Sequence, residues 1–334
     1  MALGVAVVGL DHWYTAFGVL DTARKSDIAP LIAFAETEPA RLAYAAEKYP
    51  GVLATANVDE AISAPGVGLV AICASTDQAP QIATTALRAG KHVVSVKPPA
   101  RTLAELDEVL AVAAQTGRFY GSFEGMQRLN ARATVLQNLI QNGEIGTPLS
   151  FHQVGHGGLP APWPGQIGLS WWLDANKVPG GAWLDHAIYA VDLARFVFGG
   201  EVDFATGLIE NRVQPDLSLE DYGISLMRLR RANGSPNVSL LFEDTWAANP
   251  GGGTSRYQII GTDGSVRIDG SDWVVTKGGQ ETRHAIPAGP FFAFETLTDL
   301  LERDETPPFG PADARANLKA CLAVYESAKV LTTL

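Results

Sequence analysis

The chain reads as an α/β protein in two parts: a parallel sheet covered by helices over 1–123, then an α/β domain over 124–334 whose sheet is mainly antiparallel. Three observations predict this. Short apolar runs alternate with helical patterns through the first third of the chain, which is the βαβ signature of a parallel sheet. That alternation stops near Asn130 and gives way to strands joined by short turns. A length of 334 residues, 46% of them hydrophobic and only 18% charged, is ample for two cores.

In the first part, apolar runs fall at 5–8, 30–35, 68–74, 92–96 and 119–123, with helical patterns at 38–48, 78–89 and 102–116. Runs that are apolar on consecutive residues are buried on both faces, and short strand–helix loops require right-handed crossovers. Thr102-Leu103-Ala104-Glu105 reads as a capping box. A helix over 131–142 then ends at Gly143, a strand starts at Thr147, and a loop rich in Pro, Gly and Trp (157–180) leads into an apolar helix over 181–198. Strands follow at 202–209, 222–230, 237–245, 256–260, 265–268 and 273–276. Asn233-Gly234, Thr262-Asp263-Gly264 and Gly278-Gly279 turn them into an antiparallel meander. Helices near 290–303 and 311–330 close the chain, and Pro311 suits a first helical turn.

The net charge of −11 argues against nucleic acid or an anionic membrane as partner, since both need basic surface. The first residues carry no basic leader pattern, and no apolar stretch is long enough to cross a bilayer, so a cytoplasmic protein is expected. Cys73 and Cys321 sit in separate apolar runs and read as buried free thiols.

Lys97-Pro98, directly after the buried run His92-Val93-Val94-Ser95-Val96, is the sharpest chemical signal. It places an ammonium at the carboxyl end of a parallel strand, where open α/β sheets hold their ligands. An ammonium there can bind a substrate oxygen or shift the pKa of a neighbour. In the apolar helix, Asp185, Tyr189 and Asp192 recur on one face, and a buried carboxylate and phenol need polar partners. A shared polar pocket is the natural partner of that face, with a structural hydrogen-bond network as the alternative, while His186 lies round from it and reads as structural. Trp163, Trp171, Trp172 and Trp183 cluster near it in sequence, and flat rings beside hydrogen-bonding groups suit sugar faces as well as ordinary cores. His152 and His156 could share a side of their strand, but no third ligand stands out, so no metal is expected.

The first strand-to-helix turn reads Gly9-Leu10-Asp11-His12-Trp13-Tyr14. A dinucleotide fingerprint would put glycine at 9, 11 and 14, and only Gly9 conforms. Asp11 either caps the next helix or sits beside a compensating cation. Glu36 ends the second strand, where an acidic group accepts ribose hydroxyls and repels a 2′-phosphate. Ser75 and Thr76 end the third and either border a cofactor or cap a helix.

On these residues the chain resembles the glucose–fructose oxidoreductase / inositol dehydrogenase (Gfo/Idh/MocA) family. Ala89-Gly90-Lys91-His92-Val93-Val94-Ser95-Val96-Lys97-Pro98 is similar to its A-G-K-H-V-x-x-E-K-P segment, with Val96 for the glutamate. Gly143 to Pro148 matches its G-x-I-G-x-P entry to the second domain, and Gly180 to Asp192 resembles G-G-x-x-x-D-x-G-x-H-x-x-D, with Ala187 for the glycine and Tyr189 for the histidine. Gly261-Thr262-Asp263-Gly264-Ser265 resembles its G-T-x-G-S turn. The resemblance implies a Rossmann domain, a second α/β domain with an open antiparallel sheet, and NAD(P)-dependent redox chemistry on a sugar, cyclitol or related polyol. It implies Lys97, Asp185 and Tyr189 as catalytic residues, the tyrosine exchanging the proton. Gly9, Asp11, His12, Glu36, Ser75, Thr76, Lys97 and Pro98 would hold NAD, with NADP possible, and Trp172 would join Lys97, Asp185 and Tyr189 around the substrate. A homodimer or homotetramer through the second sheet is expected, built on alternate apolar residues: Ile224, Leu226 and Leu229, or Val238, Leu240 and Phe242. A non-catalytic sensing member, or an enzyme cycling a tightly bound NAD, are the alternatives.

Overall fold

The structure, a computed structural model, describes residues 3–166, 170–248, 252–290 and 293–330. Strands β1 (Gly4–Val8), β2 (Leu31–Ala35), β3 (Leu53–Thr55), β4 (Val67–Ile72), β5 (His92–Ser95) and β6 (Tyr120–Ser122) form a parallel sheet in the order β3-β2-β1-β4-β5-β6. Helices α1 (Trp13–Arg24), α2 (Pro39–Lys48), α3 (Val58–Ser63), α4 (Ala79–Arg88) and α5 (Leu103–Thr116) cover it. Consecutive residues of β1 go to opposite faces. Val5 and Val7 pack with Leu20 of α1 and Ala45 of α2, while Ala6 and Val8 pack with Ile62 of α3, Leu87 of α4 and Leu106 of α5. Each fully buried Val or Leu stabilises the fold by ~1.5–3 kcal/mol, which is why these strands read as unbroken apolar runs. The strand order reverses between β1 and β4, and ligands of such sheets bind outside the carboxyl ends at that point.

The second domain contains α6 (Ala131–Gln141), β7 (Pro148–His156), α7 (Ala182–Phe198), β8 (Gly200–Glu210), β9 (Tyr222–Arg231), β10 (Val238–Thr245), β11 (Thr254–Gly261), β12 (Gly264–Asp269), β13 (Asp272–Lys277) and β14 (Gln280–Ala285), then α8 (Phe294–Glu302) and α9 (Pro311–Ala328). The sheet order is β14-β13-β12-β11-β7-β10-β9-β8. This corrects the simple meander: β7 separates β10 from β11 and pairs parallel with β10. Turn signals between neighbouring strands carry no information about a strand laid down before α7. The run 290–303 narrows to α8, and residues 291 and 292 of it lie outside the described residues.

One face of this sheet packs on α7 and α9. Met227, Leu229, Val238, Leu240 and Phe242 are buried there against Ala187, Ile188 and Val191. The other face turns outward with Ile224, Leu226 and Leu241, and Leu226 sits directly opposite Leu241. The two sets read from the sequence are therefore split. Ile224 and Leu226 face out, whereas Leu229, Val238, Leu240 and Phe242 face the core, because side chains alternate strictly along a strand. The C-terminal helices return to the first domain. Phe294, Leu297 and Phe309 join the core under α1, and Ala314 and Leu318 join the one under α4 and α5. Among the described residues no helix is long and apolar enough to cross a membrane.

Candidate active site

The buried residues Val93, Val94 and Val96 carry Lys97 out at the carboxyl end of β5, where a cis peptide bond joins it to Pro98. The start of α7 is held by Glu220, whose carboxylate accepts the N–H of Gly181 at 2.9 Å and of Trp183 at 3.2 Å and the Tyr325 hydroxyl at 2.6 Å. A carboxylate on a helix N-terminus is favourable. Burial raises Glu220 to about 7 against those hydrogen bonds. This anchor sets the direction in which the first turns of α7 present Asp185, His186 and Tyr189.

Lys97 and Asp185 meet. The ammonium, 3% exposed, forms a short ion pair with Asp185 Oδ1 and donates to the Asp185 carbonyl at 2.6 Å. Trp246 Nε1 donates to Asp185 Oδ2 at 3.2 Å. The ammonium stands 4.3 Å from the Trp172 ring centroid and 5.5 Å from that of Tyr189, within cation–π range. Burial favours a protonated Asp185, but Lys97 outweighs it and keeps the carboxyl below the usual carboxylate range. An ammonium has three donors, so with two engaged Lys97 retains one for an oxygen in the adjoining space. That space is a cavity of about 770 Å³, open on one side, with His12, Tyr14, Lys97, Asp185, His186 and Tyr189 among its walls.

Tyr189 is half-buried, and burial, then Glu124, push its hydroxyl well above the ordinary value, so it stays protonated. Asp192, read on the same face, belongs elsewhere. It is fully buried and binds Arg128 at 2.6 Å, Asn317 at 2.9 Å and Gln127 at 3.0 Å. Trp172, expected around the substrate, is not among the residues lining the cavity: it is 2% exposed, lies against the Lys97 ammonium and meets His12 edge-on. Trp183 is core, and Trp163 packs on Phe17 and Arg41 in the first domain.

His186, read from the sequence as structural, lies in the cavity wall. Its Nδ1 lies 2.9 Å from Oδ2 of Asp244 on β10, a carboxylate with no exposure. Gly155 on β7 makes the space for that carboxylate, since a Cβ there would stand 2.3 Å from Asp244 Oδ2. Burial lowers the His186 imidazole, but Asp185 and Asp244 outweigh it and raise it to about 9. Burial raises Asp244 to about 6 although His186 opposes it.

The first-turn residues gather at the switch point. Gly9 has φ of +80°, and a Cβ on it would meet Ala74 at 2.6 Å, so the strand-to-helix turn needs glycine there. His12, not Asp11, occupies the cap position of α1. Asp11 instead accepts the Ser75 N–H at 2.9 Å and pairs with Arg41 of α2 at 2.9 Å. A side chain already committed to a guanidinium and a neighbouring turn is drawn away from capping its own helix. Glu36 is buried and accepts the N–H of Leu10 and of Glu38, each at 2.8 Å, and burial raises it. Burial, then Lys97, lower His12 to about 3, so its imidazole is neutral. Pro98 is buried beside Lys97.

These residues suit a dinucleotide. The turn at Gly9 leads into the N-terminus of α1, whose first N–H groups have no acceptor within the helix and whose dipole favours phosphate. His12 Nδ1, Thr76 Oγ1 and Asp77 Oδ1 are buried polar atoms without a hydrogen-bond partner among the described residues, and all three lie at the carboxyl edge of β1 and β4. Arg41 neutralises the Asp11 charge that a phosphate would otherwise meet.

Asp244 and Arg41 carry no sequence signal that singled them out, and His186 reads from the sequence as structural. Gly155 was the one available signal, since glycine inside a strand marks a close approach.

Residues 3–123 match the family model described as an oxidoreductase family with an NAD-binding Rossmann fold, and residues 134–267 match that of the GFO/IDH/MocA C-terminal domain. Over 270 residues the chain is 29% identical to a myo-inositol 2-dehydrogenase of Thermotoga maritima, covering 79% of this chain and 75% of that one. Over 298 residues it is 26% identical to a 1,5-anhydro-D-fructose reductase of Ensifer adhaerens, covering 86% and 84%. The crystal structure of an aldose-aldose oxidoreductase from Caulobacter crescentus, complexed with glycerol, superposes with a TM-score of 0.81 at 22% identity over 98% of both chains.

Proposed function

This chain belongs to the Gfo/Idh/MocA family of NAD-binding oxidoreductases, and on that premise we propose that it interconverts a secondary alcohol and the matching ketone on a sugar, cyclitol or related polyol. The observation that supports this most is the buried Lys97–Asp185 pair, which opens onto a cavity of about 770 Å³ next to the first turn of the parallel sheet. When bound, NAD supplies the hydride acceptor for oxidation and its reduced form the donor for the reverse. Gly9, His12, Ser75, Thr76, Lys97 and Pro98 would hold it, with the Asp11 carboxylate beside them turned to Arg41 and the Ser75 N–H. Glu36 stands beside that site, and its carboxylate favours NAD over NADP.

Lys97 directs its remaining N–H at the reacting oxygen and stabilises negative charge developing there. Asp185 fixes the ammonium from two sides, through its carboxylate and its own carbonyl. Tyr189, protonated at neutral pH, serves as a hydrogen-bond donor in the wall. Tyr14 and Tyr257 add apolar wall with polar edges, suited to a molecule that alternates C–H faces and hydroxyls. We further propose a cytoplasmic homo-oligomer through the outward face of the second sheet, where Phe204, Leu208, Leu226 and Leu241 are exposed.

Calorimetric titration with NAD and NADP, followed by oxidation and reduction assays on a polyol and sugar panel, tests the reading. Tight NAD binding and turnover of a polyol are expected. A protein that binds neither dinucleotide, or binds NAD and turns over nothing in the panel in either direction, would overturn it.

A further inference from the structure

We infer that His186 is a further catalytic residue, exchanging the proton with the reacting oxygen in the role that the family resemblance implies for Tyr189. The inference rests on the oxidoreductase reading above. Geometry carries it. The imidazole lines the same cavity as Lys97, and its side chain is 48% exposed. Its Nδ1 faces Asp244 Oδ2 at 2.9 Å, and a carboxylate only accepts, so Nδ1 carries the hydrogen. Nε2 is thereby left to take or give a proton. That nitrogen lies 3.9 Å from Asp185 Oδ2, while Asp185 Oδ1 holds Lys97. The group that binds an oxygen and the group that takes its proton thus stand on either side of one carboxylate.

The arrangement is built rather than incidental. The end of β10 supplies both Asp244 to His186 and, just beyond it, Trp246 to Asp185. Gly155, opposite Asp244 in the strand register, leaves the room for it. In the oxidation direction the O–H bond breaks and an Nε2–H bond forms. The O–H electron pair becomes the second bond of the carbonyl as the hydride leaves the same carbon for the nicotinamide. The products are a ketone, a reduced cofactor and an imidazolium. Reduction runs the same bonds backwards.

The charged and titratable groups around His186 are Asp185 on its own helix, Asp244 from β10 and Lys97 from the end of β5. His12 and Tyr14 from the start of α1, Arg132 from α6 and Tyr257 from β11 line the same cavity. The two carboxylates dominate over burial, so His186 titrates near pH 9. Oxidation needs the neutral imidazole and should rise with pH towards that value. Reduction needs the imidazolium and should fall above it.

The test compares wild type with His186→Gln, Tyr189→Phe and Asp244→Asn. The probes are myo-inositol with NAD for oxidation and 1,5-anhydro-D-fructose with NADH for reduction, beside the wider panel. In His186→Gln the limb near pH 9 should vanish from the kcat/KM profile and turnover should drop by ~10²-fold, whereas Tyr189→Phe keeps the limb. A limb that survives His186→Gln and is lost in Tyr189→Phe overturns the proposal. A second arm needs no substrate. The NMR titration of the His186 imidazole, identified by its absence in His186→Gln, should fall near 9 and move down by about one pH unit or more in Asp244→Asn. An imidazole titrating at about 6.5 and indifferent to Asp244→Asn overturns the proposal even where no panel member reacts. Failure to bind NAD, with that titration as expected, counts instead against the oxidoreductase reading and leaves the His186–Asp244 pair supported.

Discussion

Two histidines flank the Lys97–Asp185 pair, one from each domain, and the fold drives them in opposite directions. His12 comes from the β1–α1 turn, is 3% exposed, meets Trp172 edge-on, has Nε2 3.2 Å from the Tyr14 hydroxyl, and has no carboxylate bonded to it among the described residues. Burial and the Lys97 ammonium therefore hold it neutral, at about 3. His186 comes from α7, opens to the cavity and is bonded to Asp244, so it is held charged at neutral pH, at about 9. The same residue type in one cleft is held neutral in the first domain and charged in the second, where we propose that it exchanges a proton. Separated pKa values of this kind are how a site divides its roles. The difference lies in what the neighbouring strand supplies: Cys73, just after β4, offers its carbonyl only to the His12 backbone N–H, whereas β10 places a buried carboxylate against the His186 ring.

Removing the group between the two regions should have the largest effect. Lys97→Ala is expected to leave the fold intact and to lower turnover by ~10²–10³-fold, the range for losing a positioned electrostatic group. It should also raise the His12 imidazole towards its ordinary value, since Lys97 is the second cause of its depression. Steady-state kinetics and an NMR titration check the two halves. A variant with near-normal turnover on the true substrate would remove Lys97 from the mechanism.

Gly155→Ala should break the substrate-side half alone. The added Cβ stands 2.3 Å from Asp244 Oδ2, so the carboxylate or the strand must shift. A cost of ~1–3 kcal/mol in denaturant unfolding is expected, as for other overpacked interiors. The NMR pKa of His186 should fall while that of His12 stays, and a Gly155→Ala protein with an unmoved His186 would show that Asp244 does not depend on that space.

The pair also has a signature in stability against pH. His12 is depressed in the folded chain, so the unfolded chain takes up its proton first. Stability from this residue is present above about pH 6.5 and is lost as pH falls from there towards 3. His186 is raised, so its contribution is present below about pH 6.5 and is lost as pH climbs towards 9. Read as the difference in Tm from wild type, His12→Gln should flatten the acid side and His186→Gln the alkaline side. The His186 effect is the smaller one, because solvent screens a half-exposed ion pair. An alkaline profile that His186→Gln leaves unchanged would disprove the pairing with Asp244.

Much of this was legible in the sequence, for identifiable reasons. The parallel strands are apolar on consecutive residues, and Lys97 ends one of them, so both the sheet and its chemical edge are local patterns. β3 and α3 are three and six residues long and too short to show a period, and β14 is an exposed polar edge strand without one. The place of β7 between β10 and β11 is a long-range pairing that no neighbouring turn records. His186 escaped because its meaning comes from Asp244, a residue on another strand, and periodicity on α7 alone could only set it aside from Asp185. Asp192 failed the other way, sharing the helical face of Asp185 while Arg128 and Asn317 bind it in the core. Helix periodicity assigns a face and is silent about which neighbours that face meets.

The smallest effect is expected at the cofactor-side turn, and it sharpens the comparison most. By sequence alone Asp11 is a negative charge where a pyrophosphate should approach. In the structure it is paired with Arg41, which itself packs over Trp163 at 5.3 Å, and is tied to the Ser75 N–H. Asp11→Gly therefore removes a repulsion that is already largely neutralised, and frees a guanidinium. Loss of the tie to Ser75 opposes both gains. NAD binding should tighten by ~1 kcal/mol at most, one screened charge interaction. NADP should gain at least as much, because a free guanidinium suits a 2′-phosphate. Arg41→Ala should do the reverse, leaving Asp11 unpaired and weakening NAD by a similar amount. If the two residues act only through each other, the double variant returns close to wild type, and the cycle isolates their coupling. Calorimetric titration of all four proteins with NAD and NADP measures it. Weaker binding in Asp11→Gly, with no change in Arg41→Ala, would mean that the aspartate itself contacts the cofactor, and the turn would then be a second site where a carboxylate does chemistry rather than a neutralised remnant of a glycine loop.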